Sequence, residues 1–156
     1  MIEICTRVNH LNTSLTQIGQ QQHMDVRIYY EDTDAGGVVY HANYIKYLER
    51  ARTEYLRSRG FYVAELANNG FIFPVVRLEM DFKSPALHDD LLSVITCPSR
   101  VGGSSVTFKQ TIIRQSDGKL LAEGLVTLAC ISPELKARRI PAEIRSMLDS
   151  EMESVA

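Results

Sequence analysis

Between residues 42 and 59 the apolar positions recur with the period of a helix. Tyr44, Tyr47, Leu48, Ala51 and Tyr55 stand at i, i+3, i+4, i+7 and i+11, and Lys46, Glu49, Arg50, Arg52, Glu54 and Arg57 fill the surround. The spacing predicts one amphipathic helix, about 27 Å long, that stops at Gly60. A shorter helical segment over 63–68 ends in the turn residues Asn68-Asn69-Gly70. Around these helices the pattern changes to strand types. Residues 25–31, β-branched and aromatic, read as a strand. Further strands are predicted over 71–82, where Pro74 marks an edge or a strand start, and over 91–101, where Pro98 hints at a bulge or edge. In the run 105–115, Val106, Phe108 and Ile112 alternate with Thr107, Lys109 and Thr111, and 120–132 completes the set. Gly102-Gly103 and Asp117-Gly118 supply the tight connections. Residues 143–152 predict a closing helix. One strand, a long helix and then several antiparallel strands place the chain in the α+β class, with a sheet of about five strands. One long helix cannot cover both faces of such a sheet, so the other face, or an edge, is expected to serve in oligomerisation.

Residues 1–23 follow another pattern. Asn, Gln, Thr and Ser dominate, apolar positions are sparse, and Glu3 and Arg7 interrupt any apolar stretch, which speaks against a secretory signal. Met24 is a second possible start. The expected organisation is an N-terminal extension over 1–23, a domain over 24–141 and a C-terminal helical tail over 142–156. At 156 residues the chain suits one domain with a real core. Its 45% hydrophobic and 23% charged residues are ordinary for a soluble protein. A formal net charge of −2 gives no basic face for nucleic acid. No apolar run approaches the roughly 20 residues of a membrane span, so membrane association is expected to be peripheral at most. Cys5, Cys97 and Cys130, an odd number at wide spacing without a CxxC, fit reduced thiols in a cytoplasm.

Candidate chemistry concentrates in one stretch, Tyr29-Tyr30-Glu31-Asp32-Thr33-Asp34-Ala35-Gly36-Gly37-Val38-Val39-Tyr40-His41-Ala42-Asn43-Tyr44. A strand gives way to an acidic loop with a glycine pair, and a helix begins directly after it. That order can set a carboxylate beside a helix N-terminus, where backbone N–H groups lack intrahelical partners and the dipole favours negative charge. A carboxylate facing an anion site is a plausible acyl-transfer centre.

This stretch, followed by Leu48-Glu49-Arg50-Ala51-Arg52-Thr53-Glu54, closely resembles the YbgC-type acyl-CoA thioesterases. These belong to the 4-hydroxybenzoyl-CoA thioesterase group of the hotdog-fold superfamily. The resemblance covers roughly residues 24 to 141. It extends to Phe82-Lys83-Ser84-Pro85-Ala86, Asp89-Asp90 and Ile140-Pro141, and leaves 1–23 outside. It implies a hotdog fold, an antiparallel sheet of about five strands wrapped around one long helix, with protomers paired edge to edge in a homodimer or a tetramer. It further implies hydrolysis of an acyl-CoA, with acyl carrier protein as another thiol donor, and no metal or organic cofactor. The family is commonly associated with the Tol–Pal system of Gram-negative bacteria. The competing reading is an acyl-CoA or acyl-carrier-protein binding scaffold of such a cell-envelope assembly, with little catalysis.

The resemblance assigns the catalytic carboxylate to Asp34, the second Asp of Asp-Thr-Asp, as nucleophile or as base on water. Read from the residues alone, Asp34 can equally stabilise the turn. His41 is expected to polarise the thioester carbonyl through its backbone N–H. That task does not need the imidazole, whose own role stays open. Gly36 and Gly37 allow a sharp turn and close approach of substrate. Tyr40 and Asn43 are assigned to substrate binding with them, though Asn43 also suits a capping role in the first helical turn. Asp32 can share a face with Asp34 and repel it, or be hydrogen-bonded locally. Glu49 is the alternative base, against its reading as part of an ordinary charged helix face. His88-Asp89-Asp90 has metal-ligand residue types, yet three consecutive residues rarely converge on one ion, so a loop is the simpler account. Cys97 and Cys130 in predicted strands read as buried thiols, and the Gly-x-Ser-x-Gly elbow of serine hydrolases is missing. Arg100, Arg114, Lys83, Arg138, Arg139 and the Gly102–Ser105 turn are the candidates for the coenzyme A phosphates. Tyr47, Phe71, Phe73 and Val75 are candidates for the acyl tunnel.

Overall fold

The structure, a computed structural model, describes residues 22–155. Strands β1 (Gln22–Arg27), β2 (Val75–Phe82), β3 (Leu91–Val101), β4 (Ser105–Arg114) and β5 (Leu120–Ala129) form one antiparallel sheet in the order β1-β3-β4-β5-β2. Helix α1 (His41–Arg57) lies on one face. The short α2 (Val63–Asn68) follows it, and α3 (Ala142–Val155) closes the chain. This is the expected α+β hotdog arrangement of one long helix against five strands.

Period-two alternation and ladder register decide which side chains meet α1. Thr96, Gln110 and Gly124 stand abreast on β3, β4 and β5, and Phe108 stands beside Val126. Tyr44, Tyr47, Leu48, Ala51 and Tyr55, the predicted apolar face of α1, are all buried against this surface. The helix comes close to the sheet at Gly124. A Cβ there would sit 2.8 Å from Leu48 Cδ1 and 3.3 Å from Met80 Sδ. Glycine in mid-strand, normally a weak choice, here makes room for the helix.

Arg52 departs from the expected charged surround. It is buried beside the apolar face, and its Nη1 donates to Gln110 Oε1 at 3.0 Å. Gln110 Nε2 in turn donates to Leu48 O and to Thr96 Oγ1, both at 2.9 Å. Burial pulls the Arg52 guanidinium below its ordinary pKa, and nearby Glu49 opposes that shift. Arg52 lies one helical turn beyond Leu48, so its stem follows the helix flank into the interface.

The first strand differs from its predicted bounds at both ends. It begins at Gln22, pairing Gln22 and His23 with Thr96 and Ile95, inside the stretch assigned to the extension. It ends at Arg27 rather than residue 31, because Tyr30–Asp32 form a 3-10 turn. Asp32 Oδ2 accepts the Tyr29 N–H at 2.8 Å and Thr33 Oγ1 donates to Tyr30 O at 2.8 Å. Such local bonds divert the backbone from a ladder. Pro74 immediately precedes β2, which is an edge strand, and the register shifts between Pro98 and Arg100, both as the prolines implied. Residues 1–21, including Cys5, lie outside the described residues.

Helix α3 joins the same core through Ile144 and Leu148. Glu151 accepts hydrogen bonds from the Tyr55 hydroxyl and from Arg59. Burial first, and the Glu151 carboxylate second, push the Tyr55 phenol well above its ordinary pKa, so it stays a donor.

The Gly124 contact predicts that Gly124→Ala lowers stability by about 1–3 kcal/mol, the usual penalty for overpacking a core, measured by denaturant unfolding. An unchanged or raised midpoint would contradict the close approach of α1 described above.

Candidate active site

The site is assembled where the 3-10 turn, a glycine turn and the start of α1 meet. Asp34 opens the glycine turn. Its N–H donates to Val38 O at 2.9 Å, and its carbonyl accepts the Gly37 N–H at 3.0 Å. Asp34 Oδ1 accepts the Gly36 N–H at 2.7 Å. Oδ2 has no hydrogen-bond partner among the described residues. Gly37 holds φ +75°, a region that side chains with a Cβ rarely adopt, and a Cβ on Gly36 would press on Asp34 Oδ1 at 3.1 Å. The two glycines therefore serve separate ends, one the turn and one the room beside the carboxylate.

Helix α1 begins at His41 with Tyr40 as N-cap, and no side chain caps it. Tyr40 N–H donates to Asp32 O, and Asn43 N–H to Tyr40 O, each at 2.9 Å. The N–H groups of His41 and Ala42 have no acceptor among the described residues. No acidic side chain stands in the first turn. The positive end of the helix is thus open to an anion or a polarised carbonyl.

Asp34 and His41 line one cleft of about 320 Å³ with Val38, Val39, Tyr44, Phe82, Lys83, Ser84 and Pro85. One wall is the 82–85 segment, which is braced, with the residues that follow it, from several directions. Tyr44 stacks edge-on against Phe82, with ring centroids 5.4 Å apart, and its hydroxyl accepts the Ala86 N–H at 3.0 Å. Ala86 O accepts the Val39 N–H at 2.9 Å. Burial holds the Tyr44 phenol above its ordinary pKa. Arg114 donates to Pro85 O at 3.1 Å and pairs with Asp90 at 3.2 Å, whose Oδ2 also accepts the Leu87 N–H.

Comparisons with known proteins place the chain in a family. The sequence model of the family described as "Thioesterase superfamily" matches residues 36–121. The chain belongs to the thioesterase superfamily. Among its relatives, the acyl-CoA thioester hydrolase YbgC of Escherichia coli O6:H1 is 42% identical over 120 residues, covering 76% of this chain and 89% of the relative. The acyl-CoA thioesterase YbgC of Haemophilus influenzae is 42% identical over 123 residues, covering 78% and 89%. The crystal structure of a probable thioesterase from Bartonella henselae superposes with a TM-score of 0.73 at 37% identity, covering 78% of this chain and 99% of that one.

Within this superfamily member, the residues singled out from the sequence fall into distinct places. Asp34 and the His41 helix start share the cleft, and Gly36 and Gly37 shape the turn. Tyr40 is exposed and its ring stacks on His41 at 4.5 Å. Asn43 Nδ2 donates to Asp32 O at 2.9 Å, a bond that joins turn to helix. Glu49 lies on the exposed side of α1, where it accepts the Thr53 hydroxyl, and does not line the cleft. Asp32 does not line the cleft; its carboxylate accepts the Tyr29 N–H within the 3-10 turn and the Tyr47 hydroxyl from α1. Of the candidate phosphate ligands, Arg114 is committed to Asp90, Asp117 and Pro85 O, and Arg138 stacks over Phe71 and donates to Gly70 O. Tyr47 belongs to the core rather than to the cleft wall.

The reading of the residues had no role for Tyr44, Phe82, Ser84 or Pro85 at the cleft. The segment Phe82-Lys83-Ser84-Pro85-Ala86 carried a signal, since its proline ends a strand and exposes a loop. That this loop returns to residue 44 is a matter of packing alone.

Removing the Tyr44 hydroxyl tests the wall. Tyr44→Phe leaves the Ala86 N–H without its acceptor and is expected to lower stability by about 1–3 kcal/mol, read by denaturant unfolding. A variant as stable as the parent would show that Ala86 finds another partner.

Proposed function

We propose that this protein hydrolyses acyl-CoA thioesters to the free acid and CoA, with the Asp34 carboxylate as nucleophile or general base and the His41 backbone N–H as the electrophile. The observation that carries this reading is the shared cleft. It presents an Asp34 carboxylate oxygen with no partner among the described residues next to an uncapped helix start, in a member of the thioesterase superfamily. The Escherichia coli and Haemophilus influenzae relatives, named for acyl-CoA thioester hydrolysis, support the substrate class.

In the proposed reaction the thioester oxygen lies at the start of α1. Charge developing on that oxygen is stabilised by fixed N–H donors and the helix dipole, which need no rearrangement as the reaction proceeds. Asp34 Oδ1 is held by Gly36 N–H, which leaves Oδ2 for the reaction. As a base, Oδ2 takes a proton from water while the water oxygen bonds to the acyl carbon. Collapse of the tetrahedral intermediate breaks the C–S bond, and the thiolate leaves to be reprotonated. As a nucleophile, the same oxygen bonds to the acyl carbon, expels the thiolate and forms a mixed anhydride that water then cleaves. Gly36, Gly37 and Tyr40, next to the cleft residues in the chain, are proposed to contact substrate as it enters. Lys83 brings a cation to the cleft and is a candidate for contact with the coenzyme.

The edge of β2 supports assembly into a homodimer or a tetramer. Val75, Val76 and Phe82 are 49%, 60% and 51% exposed on this edge strand, where an unpaired row of backbone groups invites a second strand. The wide spacing of the buried Cys97 and Cys130 along the chain fits a reducing, cytoplasmic setting. No helix among the described residues is long and apolar enough to cross a membrane.

Thiol release from short, long and aromatic acyl-CoAs, wild type beside Asp34→Asn, tests the chemistry. A folded variant is expected to lose about 10²-fold or more in kcat, the scale of a lost acid–base group. Equal, feeble rates in both proteins would remove Asp34 from the mechanism and favour the binding-scaffold reading. Assembly is checked separately by light scattering, where a native mass of two or four times 17.6 kDa is expected. A single-chain mass would reject pairing at the β2 edge.

A further inference from the structure

Asp32 stands two residues before Asp34, does not line the cleft, and has no part in the reaction written above. It is nonetheless where the catalytic turn is fastened to α1. Its carbonyl oxygen accepts the Tyr40 N–H and Asn43 Nδ2, each at 2.9 Å. Its Oδ1 accepts the Tyr47 hydroxyl at 2.8 Å, and its Oδ2 accepts the Tyr29 N–H at 2.8 Å. Among the described residues, every hydrogen bond between the 29–38 segment and the cap or body of α1 ends on Asp32. Asn43 and Tyr47 lie at i and i+4, so they reach it from the same side of the helix.

Two features make this attachment stiff. Tyr47 is only 1% exposed, so its ring cannot shift without disturbing the core. The bond itself joins a phenol to a carboxylate, a charge-assisted pair stronger than a neutral one. The Asp34 turn, by contrast, lies in the exposed part of the segment and bonds mainly within itself.

We propose that Asp32, seated on the Tyr47 hydroxyl, is a positioning residue for thioester hydrolysis that sets where the Asp34 carboxylate stands relative to the open N–H groups of α1. The inference rests on the reading of Asp34 as the catalytic carboxylate. Attack on the thioester requires the carboxylate and the N–H donors to hold one carbonyl between them, and a displacement of about 1 Å can lower the rate on the order of 10²-fold. The other described residues that line the cleft make no hydrogen bond to Asp32. Loosening Asp32 therefore acts on turnover and leaves binding in place.

The test is steady-state thiol release on the acyl-CoA that the wild type turns over fastest among acetyl-, octanoyl- and benzoyl-CoA. Tyr47→Phe, Asp32→Ala, the double variant and Asp34→Asn are compared, each well below its unfolding midpoint. Tyr47→Phe and Asp32→Ala are expected to lower kcat by roughly tenfold or more with KM held within about twofold, the signature of an interaction needed only on the way to the transition state. The double variant is expected to be no slower than Asp32→Ala, which already removes the acceptor of the Tyr47 hydroxyl. Tyr47→Phe removes a single hydroxyl, so it decides the matter if Asp32→Ala does not fold. Wild-type kcat in the folded Tyr47 and Asp32 variants beside an inactive Asp34→Asn overturns the positioning role and leaves the catalytic reading intact. A raised KM at unchanged kcat, or effects that multiply in the double variant, also overturns it. Wild-type rates in Asp34→Asn remove the catalytic reading, and the positioning role with it.

Discussion

Leu48 reaches the sheet at the point where β5 carries Gly124, and a Cβ at that position would fall 2.8 Å from its Cδ1. The depth to which α1 sinks is set there, and so is the place where its N-terminus emerges. Its rotation is set nearby, by Gln110 Nε2 on Leu48 O and by Arg52 on Gln110 Oε1. A buried polar network specifies one geometry because any other leaves its donors unpaired. Helix position and helix rotation are thus settled in the middle of α1, two turns or less from the residues that face the cleft.

From that anchor the two ends of α1 are fastened by the same device. Tyr47 donates its hydroxyl to Asp32, and Tyr55, two turns on, donates to Glu151. Burial is the larger cause in raising the pKa of each phenol, and the carboxylate it meets is the next. Both phenols therefore remain protonated and remain donors at neutral pH. One pair holds the turn that bears Asp34, and the other holds α3. Tyr44 adds a third tie, to Ala86, and through Ala86 O to Val39 on the far side of the glycine turn. The cleft is the space enclosed by these ties, and its walls follow the helix.

The chemistry proposed for the cleft uses what such a framework leaves unpaired. Two N–H groups at the start of α1 and one oxygen of Asp34 have no partner among the described residues. In a folded protein unpaired polar groups are costly unless water or a ligand reaches them. Their concentration at one exposed helix start, with the aromatic pair Tyr44–Phe82 behind them, is the arrangement suited to an acyl group whose carbonyl becomes charged.

Much of this was legible in the amino-acid order. The spacing of Tyr44, Tyr47, Leu48, Ala51 and Tyr55 located the long helix and its buried face, since helical periodicity is a local property. Pro74 and Pro98 located a strand start and a bulge for an equally local reason, the missing N–H. The Asp-Thr-Asp-Ala-Gly-Gly stretch carried the family resemblance and brought Asp34 and His41 forward together. What the order of residues left open was decided by contacts between segments far apart in the chain. Arg52 looked like a surface charge because nothing local shows that Gln110, fifty-eight residues on, waits for it across the interface. Tyr47 looked like a tunnel residue, and Asp32 like a neighbour that could repel Asp34. Only the packed helix, which brings residues 32 and 47 within 2.8 Å, makes them partners. A hydrogen bond depends on where two side chains end up in space, and that is settled by the depth and rotation of α1, not by either residue's neighbours in the chain.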